Sequence, residues 1–226
     1  MAGLDKNIWI IANWKSNKTI SEALDWISEV GPKVPYSENL KIVVCPTFSC
    51  LSEVKKAITV GNYPIIVASQ DLSEFQTGAF TGEESASLIK DLVELSIIGH
   101  SERRQNLSES DEVVAKKVER ANSASIQPLV CVQGIDTPIP KDCNLVAYEP
   151  IFAIGTGTPD TSENANNVAK QIKEKQGFNL EVLYGGSVSA GNVKSFVMQE
   201  NISGVLIGKA SLDAGEFVKI IKELSL

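Results

Sequence analysis

The chain has 226 residues, of which 43% are hydrophobic and 22% charged, and its net charge at pH 7 is −7. Such a composition is ordinary for a globular protein and provides enough apolar side chains for a large core. The acidic excess argues against a nucleic-acid-binding surface, which needs clustered Lys and Arg, and no apolar run approaches the ~20 residues of a membrane-spanning helix.

Cysteine and histidine usage argues against metal and redox sites. The four cysteines, at positions 45, 50, 131 and 143, form no C-x-x-C pair, and His100 is the only histidine. Thiolate zinc sites and redox motifs need such pairs. Residues 1–11 also lack the long apolar core of a secretory signal. We therefore expect no metal site and a reducing, cytoplasmic location.

Eight short apolar runs are predicted to be β-strands, and helical patterns lie between most of them. Most runs are continuous rather than alternating, as expected for strands covered on both faces. In chain order, the predicted strands are residues 8–13, 41–45, 65–69, 95–99, 128–132, 145–149, 181–184 and 204–207. The predicted helices are residues 21–30, 49–57, 82–92, 108–121, 162–175, 190–199 and 213–224. In the segment 108–121, Val114 and Val118 belong to an apolar stripe along one side of the predicted helix, and Lys117 lies largely outside that stripe.

Strands that alternate with helices predict a parallel sheet with right-handed crossovers. We predict an α/β fold in which this sheet closes into a TIM-type (β/α)8 barrel. Length and spacing alone leave an open doubly wound sheet as the alternative. Because no linker or low-complexity segment interrupts the pattern, residues 1–226 are expected to form one catalytic barrel domain.

One crossover departs from the pattern. The segment between Val132 and Asn144 contains Pro138 and Pro140, two residues apart. Prolines so placed forbid a regular helix, and the segment is close to the shortest parallel connection. The helix between strands five and six is therefore predicted to be missing or reduced to a turn.

The strand that ends at Glu149 is followed by the most informative stretch of the chain. An apolar run ends in this one carboxylate, Pro150 stops the backbone at once, and a loop of small residues with Gly155 and Gly157 follows. This order is suited to a general base at a strand end with a mobile cover beside it. Taken alone, Glu149 remains a weak candidate.

Other polar residues follow the remaining predicted strands. In a barrel of this type, the carboxyl ends of all strands open onto one face, which holds the active site. The residues at these ends are Asn13, Lys15, Gln70, His100, Glu149, the run Gly185-Gly186-Ser187 and the pair Gly208-Lys209. Singly, each has an ordinary structural explanation: a lone lysine is usually solvated and a lone histidine usually structural. Together they favour proton abstraction next to a carbonyl on a small phosphorylated substrate.

Six stretches resemble the motifs of the triosephosphate isomerase family, in that family's order. They are Asn13-Trp14-Lys15, Gly78-Ala79-Phe80-Thr81-Gly82-Glu83, Gly99-His100-Ser101-Glu102-Arg103-Arg104, the residues from Ala147 to Gly157, Tyr184-Gly185-Gly186-Ser187-Val188, and the residues from Gly208 to Leu212. The resemblance implies the interconversion of dihydroxyacetone phosphate and D-glyceraldehyde 3-phosphate through an enediolate, in glycolysis and gluconeogenesis. It implies no metal and no organic cofactor.

The resemblance also implies roles for five side chains. Glu149 would take a carbon-bound proton and return it to the neighbouring carbon. His100 would pass protons between the two oxygens of the enediolate as a neutral imidazole, with a short helix starting beside it. Lys15 would offset the developing negative charge, with Asn13 positioning it and Glu102 holding it in place.

The phosphate group and the lid are assigned on the same resemblance. Phosphate would lie against the backbone N–H groups of Gly155, Ser187, Gly208 and Lys209, as glycine-rich turns allow. The lid would consist of Pro150, Ile151, Phe152, Ala153, Ile154, Gly155, Thr156 and Gly157. Lys209 stands where the family often has a second glycine; a side chain pointing away is favoured, and one that adds charge is the alternative.

The lid departs from the family pattern in a coordinated way. The family usually has Pro-Val-Trp where this chain has Pro150-Ile151-Phe152, and C-V-G-E where it has Cys131-Val132-Gln133-Gly134. Both partners of the family's tryptophan–glutamate hydrogen bond are therefore absent, which avoids leaving one of them unpaired. We expect a lid latched by apolar contact of Phe152, with Pro159 altering its far hinge.

The loop from Phe75 to Glu83 implies a homodimer, because the family generally assembles through this loop. The trimmed crossover leaves a tetramer as an alternative. Two other functions compete with the isomerase: a different phosphate-binding barrel enzyme, such as an epimerase or a lyase, and a non-catalytic binding protein. Neither requires Lys15, His100 and Glu149 together.

Overall fold

The computed structural model describes residues 6–150, 160–177 and 179–225. Eight strands pair in parallel and in chain order, and β1 pairs with both β2 and β8, so the sheet is a closed barrel. The predicted barrel is confirmed, and the open-sheet alternative is wrong. The strands are β1 Ile8–Asn13, β2 Leu40–Cys45, β3 Ile66–Ser69, β4 Leu95–Ile98, β5 Gln127–Val132, β6 Leu145–Tyr148, β7 Glu181–Tyr184 and β8 Gly204–Ile207.

Helices surround this barrel. They are α1 Ile20–Val30, α2 Phe48–Gly61, α3 Ala86–Ile89, α4 Ser101–Asn106, α5 Asp111–Ser123, α6 Ser162–Gln176, α7 Val193–Val197 and α8 Ala214–Leu224. Most lie close to the predicted ranges, and side chains cap several of them. At α1, the Thr19 side chain accepts from the Glu22 N–H and the Glu22 carboxylate from the Thr19 N–H, a capping box.

Two predicted helices are shorter than expected. The range 82–92 forms a helix only over Ala86–Ile89, and the range 190–199 only over Val193–Val197. In the first case, Glu83 and Glu84, which precede the helix, form hydrogen bonds with Ser73. The N–H of Ser73 donates to the Glu84 carbonyl at 2.9 Å, and the Ser73 hydroxyl donates to the Glu83 carboxylate at 2.5 Å. These contacts close a loop where the pattern predicted a helix.

The core has two layers, one on each face of the sheet. The inner cluster fills the barrel and includes Ile11, Ile97 and Leu183. The outer cluster lies between the sheet and the helices, where Trp26 contacts the rings of both Trp14 and Phe217. Burial on both faces explains why the strands read as continuous apolar runs. Among the helices described here, none is long and apolar enough to span a bilayer.

The connection between β5 and β6 contains no helix over its described residues 133–144. It is held by a turn instead: the Gln133 N–H donates to Oγ1 of Thr137 at 3.1 Å, and the Thr137 N–H donates to the Gly134 carbonyl at 3.3 Å. The prediction of a missing outer helix is confirmed. Its cause is the proline pair, which removes donors and restricts the preceding residues.

We expect Gly204→Ala to destabilise the barrel strongly, since Gly204 lies where β8 closes against β1. A Cβ atom there would come 2.2 Å from the carbonyl oxygen of Trp9 and 2.7 Å from its nitrogen, and neither backbone atom can move aside without breaking the sheet. Unfolding in urea should show a loss of about 3 kcal/mol or more. Gly134→Ala is the matched control, because no atom lies within 4 Å of a Cβ at Gly134. Equal stabilities of the two variants would contradict this account.

Candidate active site

The carboxyl ends of the strands surround one cavity of about 760 Å³. It is lined by seven of the predicted site residues: Asn13, Lys15, His100, Glu149, Ser187, Gly208 and Lys209. Glu102 reaches the cavity through its ion pair with Lys15. Gly155 and the lid residues from Ile151 to Gly157 lie outside the described residues, as does Pro159.

Glu149 directly follows β6 and is only 1% exposed. Its N–H donates to the Val132 carbonyl at 2.8 Å, which continues the barrel pairing by one residue. Its carboxylate accepts a hydrogen bond from the Ser101 N–H at 2.8 Å, and its Oε1 lies 2.9 Å from Nε2 of His100. Gly185 leaves room for this side chain, because a Cβ there would lie 3.0 Å from Cγ of Glu149. A buried carboxylate at the edge of a cavity is chemically suited to act as a base.

His100 caps the N-terminus of α4, the short helix expected beside it. Its Nδ1 accepts from the N–H of Glu102 at 3.2 Å, while its Nε2 lies 2.9 Å from Glu149. A ring nitrogen that accepts a backbone hydrogen bond carries no proton, so these contacts assign the neutral tautomer with the proton on Nε2. The imidazole can therefore donate to an oxygen atom in the cavity.

Lys15 lies two residues beyond the end of β1 and has φ of +54°, a conformation that side-chain-bearing residues rarely adopt. Its N–H donates to Oδ1 of Asn13 at 3.0 Å, and its ammonium forms an ion pair with Glu102. Gly208 packs against its side chain, since a Cβ there would lie 3.4 Å from Cε of Lys15. The local bonds offset a backbone strain of about 1–3 kcal/mol.

Gln70, the residue after β3, holds the other side of the Lys15 peptide. Its Nε2 donates to the Lys15 carbonyl at 2.8 Å and to the Cys45 carbonyl at 2.9 Å, which links the ends of the first three strands. The sequence placed Gln70 at a strand end but indicated no role for it. The only feature of the sequence that could have indicated this role is the amide itself, which has two hydrogen-bond donors on one nitrogen.

We expect Gln70→Glu to lower kcat/KM roughly tenfold, because a carboxylate cannot donate to the two carbonyls and repels them. Steady-state kinetics at neutral pH measure the change, and circular dichroism checks folding. Gln176→Glu, on the exposed end of α6, is the matched control. If both variants keep the parental kcat/KM, Gln70 has no positioning effect on Lys15.

Two turns form the other side of the cavity. In the first, Asn192 brackets the loop after β7: its Oδ1 accepts from the Ser189 N–H at 2.8 Å, and its Nδ2 donates to the Ser187 carbonyl at 3.2 Å. In the second, Gly208 precedes a 3-10 turn at 209–211. Successive backbone N–H groups in such turns suit an anion.

Tyr184, the last residue of β7, connects this region to the chain that follows the lid. Its hydroxyl accepts a hydrogen bond from the N–H of Asp160 at 2.9 Å, and its ring stacks on Phe196. Burial raises the pKa of Tyr184 to about 12, so the phenol stays protonated. Gly186 is required beside it, because a Cβ there would lie 2.2 Å from the hydroxyl. Phe152, the expected latch, is outside the described residues.

A buried ion cluster supports the loop after Gln70 and the helix α4, which carries Glu102. The Lys117 ammonium contacts both Asp71 oxygens at 2.7 Å and also Glu109, while Arg103 contacts Asp71 at 2.9 Å and Glu109 at 3.0 Å. Burial raises the pKa of Asp71 to about 6, although both cations oppose this shift. Lys117 is only 4% exposed. It is therefore buried, although the sequence placed it outside the apolar stripe of its helix.

Metal ligation has no support among the residues described. No group of three or more His, Cys, Asp or Glu side chains in that part of the chain is placed to hold a metal ion. The arrangement of the cavity suits acid–base chemistry: a buried carboxylate, a neutral imidazole and an ammonium surround one space, with two turns beside them whose backbone N–H groups suit an anion.

The chain is similar over most of its length to proteins of one family. Residues 8–224 match the sequence model of the family "Triosephosphate isomerase". Curated relatives with this name include those of Mesomycoplasma hyopneumoniae (strain 232), 38% identical over 240 residues, and of Alkaliphilus oremlandii, 38% identical over 244. The relative from Aquifex aeolicus is 36% identical over 242 residues. Each alignment covers 94% of this chain and 97% of the relative. The chain belongs to the triosephosphate isomerase family.

Proposed function

We propose that this chain, as one catalytic barrel domain, interconverts dihydroxyacetone phosphate and D-glyceraldehyde 3-phosphate by proton transfer through an enediolate. This is the isomerisation used in glycolysis and gluconeogenesis. The observation that carries the proposal is the convergence of Lys15, His100 and Glu149, from three distant parts of the chain, on one cavity.

Glu149 is the base in this proposal. When substrate enters, the carboxylate gives up its contacts with Ser101 and His100, takes the proton from one carbon and returns it to the next. Its burial supports this role, because the surrounding protein holds a buried carboxylate in one orientation toward a bound carbon acid.

His100 and Lys15 act on the oxygens. The Nε2 proton of His100 is donated to one enediolate oxygen while the other oxygen returns a proton, so the imidazole shuttles between them. The Lys15 ammonium, held by Glu102 and by Asn13, stabilises the negative charge that develops. Charge that is already oriented costs no reorganisation at the moment of reaction.

Phosphate binding and the lid complete the proposal. Phosphate lies against the N–H groups of Ser187, Gly208 and Lys209, and against that of Gly155. The lid, which begins at Pro150 and ends at Gly157, closes over the intermediate and excludes water, which prevents loss of phosphate from an exposed enediolate.

A homodimer is proposed through the loop from Phe75 to Glu83. All its residues are exposed, and the rings of Phe75 and Phe80 stack with centroids 4.2 Å apart while remaining 38% and 42% exposed. Stacked aromatic rings on a surface are typical of an interface. Light scattering tests the assembly: Phe80→Asp should shift a dimer to monomer, and a tetramer would point to a further interface. The four unpaired cysteines are consistent with a cytoplasmic location.

A coupled assay with D-glyceraldehyde 3-phosphate and no added metal tests the activity. Formation of dihydroxyacetone phosphate supports the proposal. An epimerase or lyase would leave this substrate unchanged or cleave another, and a binding protein would hold phosphate without turnover. An unchanged substrate, a cleaved substrate or phosphate binding without turnover would overturn the proposed reaction.

A further inference from the structure

We propose that the ammonium of Lys209 is a second cation of the substrate site and attracts and retains the phosphate dianion. This inference rests on the proposed function and deepens it, because it names the charge state of the ligand that the site selects. It concerns the Lys209 side chain, whereas the N–H group of the same residue was assigned above.

The position of Lys209 supports this role. It directly follows Gly208 after β8, begins the turn at 209–211 and is an exposed part of the cavity lining. Gly208 packs against the side chain of Lys15, so Lys209 lies beside the predicted phosphate turn and close to the electrophilic lysine. A side chain with four methylene groups can reach a phosphate bound at its own backbone N–H.

The other charged groups around the cavity carry a net negative charge, which a further cation would offset. Lys15 is paired with Glu102, and Glu149 adds a further carboxylate, so these three groups sum to one negative charge. The protein as a whole carries −7. A dianionic substrate would therefore approach an unfavourable field, and one cation at the cavity mouth would cancel the negative charge of the three groups.

Lys209 is available for this purpose. Within the described ranges it forms no ion pair or side-chain hydrogen bond, whereas the neighbouring Lys18 donates to the Leu212 carbonyl at 2.9 Å and lies over the Trp14 ring. An exposed ammonium acting on a dianion through water changes affinity by about tenfold at low salt, and an ionic strength above ~0.1 M screens most of that effect.

The test compares Lys209→Gln and Lys209→Arg with Lys170→Gln, a control at an exposed lysine of α6 outside the cavity. KM and kcat for glyceraldehyde 3-phosphate are measured from about 10 to 300 mM ionic strength, and calorimetry gives the Kd of inorganic phosphate over the same range. For Lys209→Gln at low salt, we expect KM and the phosphate Kd to rise about tenfold, more than kcat changes, and to approach the parental values at high salt. The arginine variant should retain tight binding.

Two results would overturn the inference. One is phosphate affinity in Lys209→Gln equal to that in Lys170→Gln at every ionic strength. The other is a loss that salt does not diminish and arginine does not restore, which would indicate a changed turn rather than a missing charge. Failure of the proposed isomerase is distinguishable, since it would abolish turnover by the parental enzyme while the calorimetric comparison still reports on Lys209.

Discussion

Glu149→Asp should lower kcat by about 10²–10⁴-fold, the usual weight of a positioned general base. The shorter side chain withdraws the carboxylate by roughly 1 Å from the carbon acid, and misplacement on this scale has large effects on rate. Its hydrogen bond from Ser101 and its contact with His100 would also be stretched. Steady-state kinetics in both reaction directions measure the effect.

The control for this variant is Glu223→Asp, the same shortening at an exposed position on α8. It should leave kcat unchanged, and thermal unfolding of both variants shows whether the fold is retained. A decrease of less than tenfold in a folded Glu149→Asp protein would remove Glu149 from the role of base.

Lys15→Met is expected to lower kcat/KM by about 10²–10³-fold. This is the usual effect of removing one preorganised group that stabilises charge in the transition state. Methionine keeps much of the side-chain length but not the charge, and Glu102 is left as an unpaired carboxylate beside the substrate. Kinetics with glyceraldehyde 3-phosphate measure the loss, and Lys222→Met on α8 is the control.

A second variant separates the two causes of that loss. Lys15→Met combined with Glu102→Gln removes the unpaired carboxylate, so it should recover only a small part of the activity if the ammonium itself is required. Near-complete recovery would show that Lys15 serves to neutralise Glu102 rather than to stabilise the reaction intermediate.

Much of the fold was predictable because its signals are local. Strands buried on both faces are continuous apolar runs, and Pro138 and Pro140 rule out a helix in the fifth crossover wherever the rest of the chain lies. The helix over 82–92 was predicted too long, because its start depends on a contact with a residue outside the segment. Ser73, ten residues earlier, bonds Glu83 and Glu84 and takes them out of the helix.

The candidate site divides in the same way. Its motifs identify Lys15, His100 and Glu149, since a residue within two positions of the carboxyl end of a barrel strand is expected on the face that holds the active site. The contribution of Gln70 could not be predicted, because its two acceptors belong to other strands. Lys117 was assigned away from the apolar stripe, yet Asp71, 46 residues away in sequence, holds it in a buried ion pair.

The sequence by itself determined the alternation of strands and helices, the absence of one outer helix, the family and the face on which the candidate site lies, because apolar patterns, proline geometry and strand ends act within a few residues. Closure of the sheet into a barrel was decided by the pairing of β1 with β8. Only the tertiary structure decided the tautomer of His100, the left-handed backbone of Lys15 and the buried ion cluster. Each of these depends on hydrogen bonds or ion pairs whose strength is set by distance in space, and closure of the barrel brings together donors and acceptors that the chain keeps far apart.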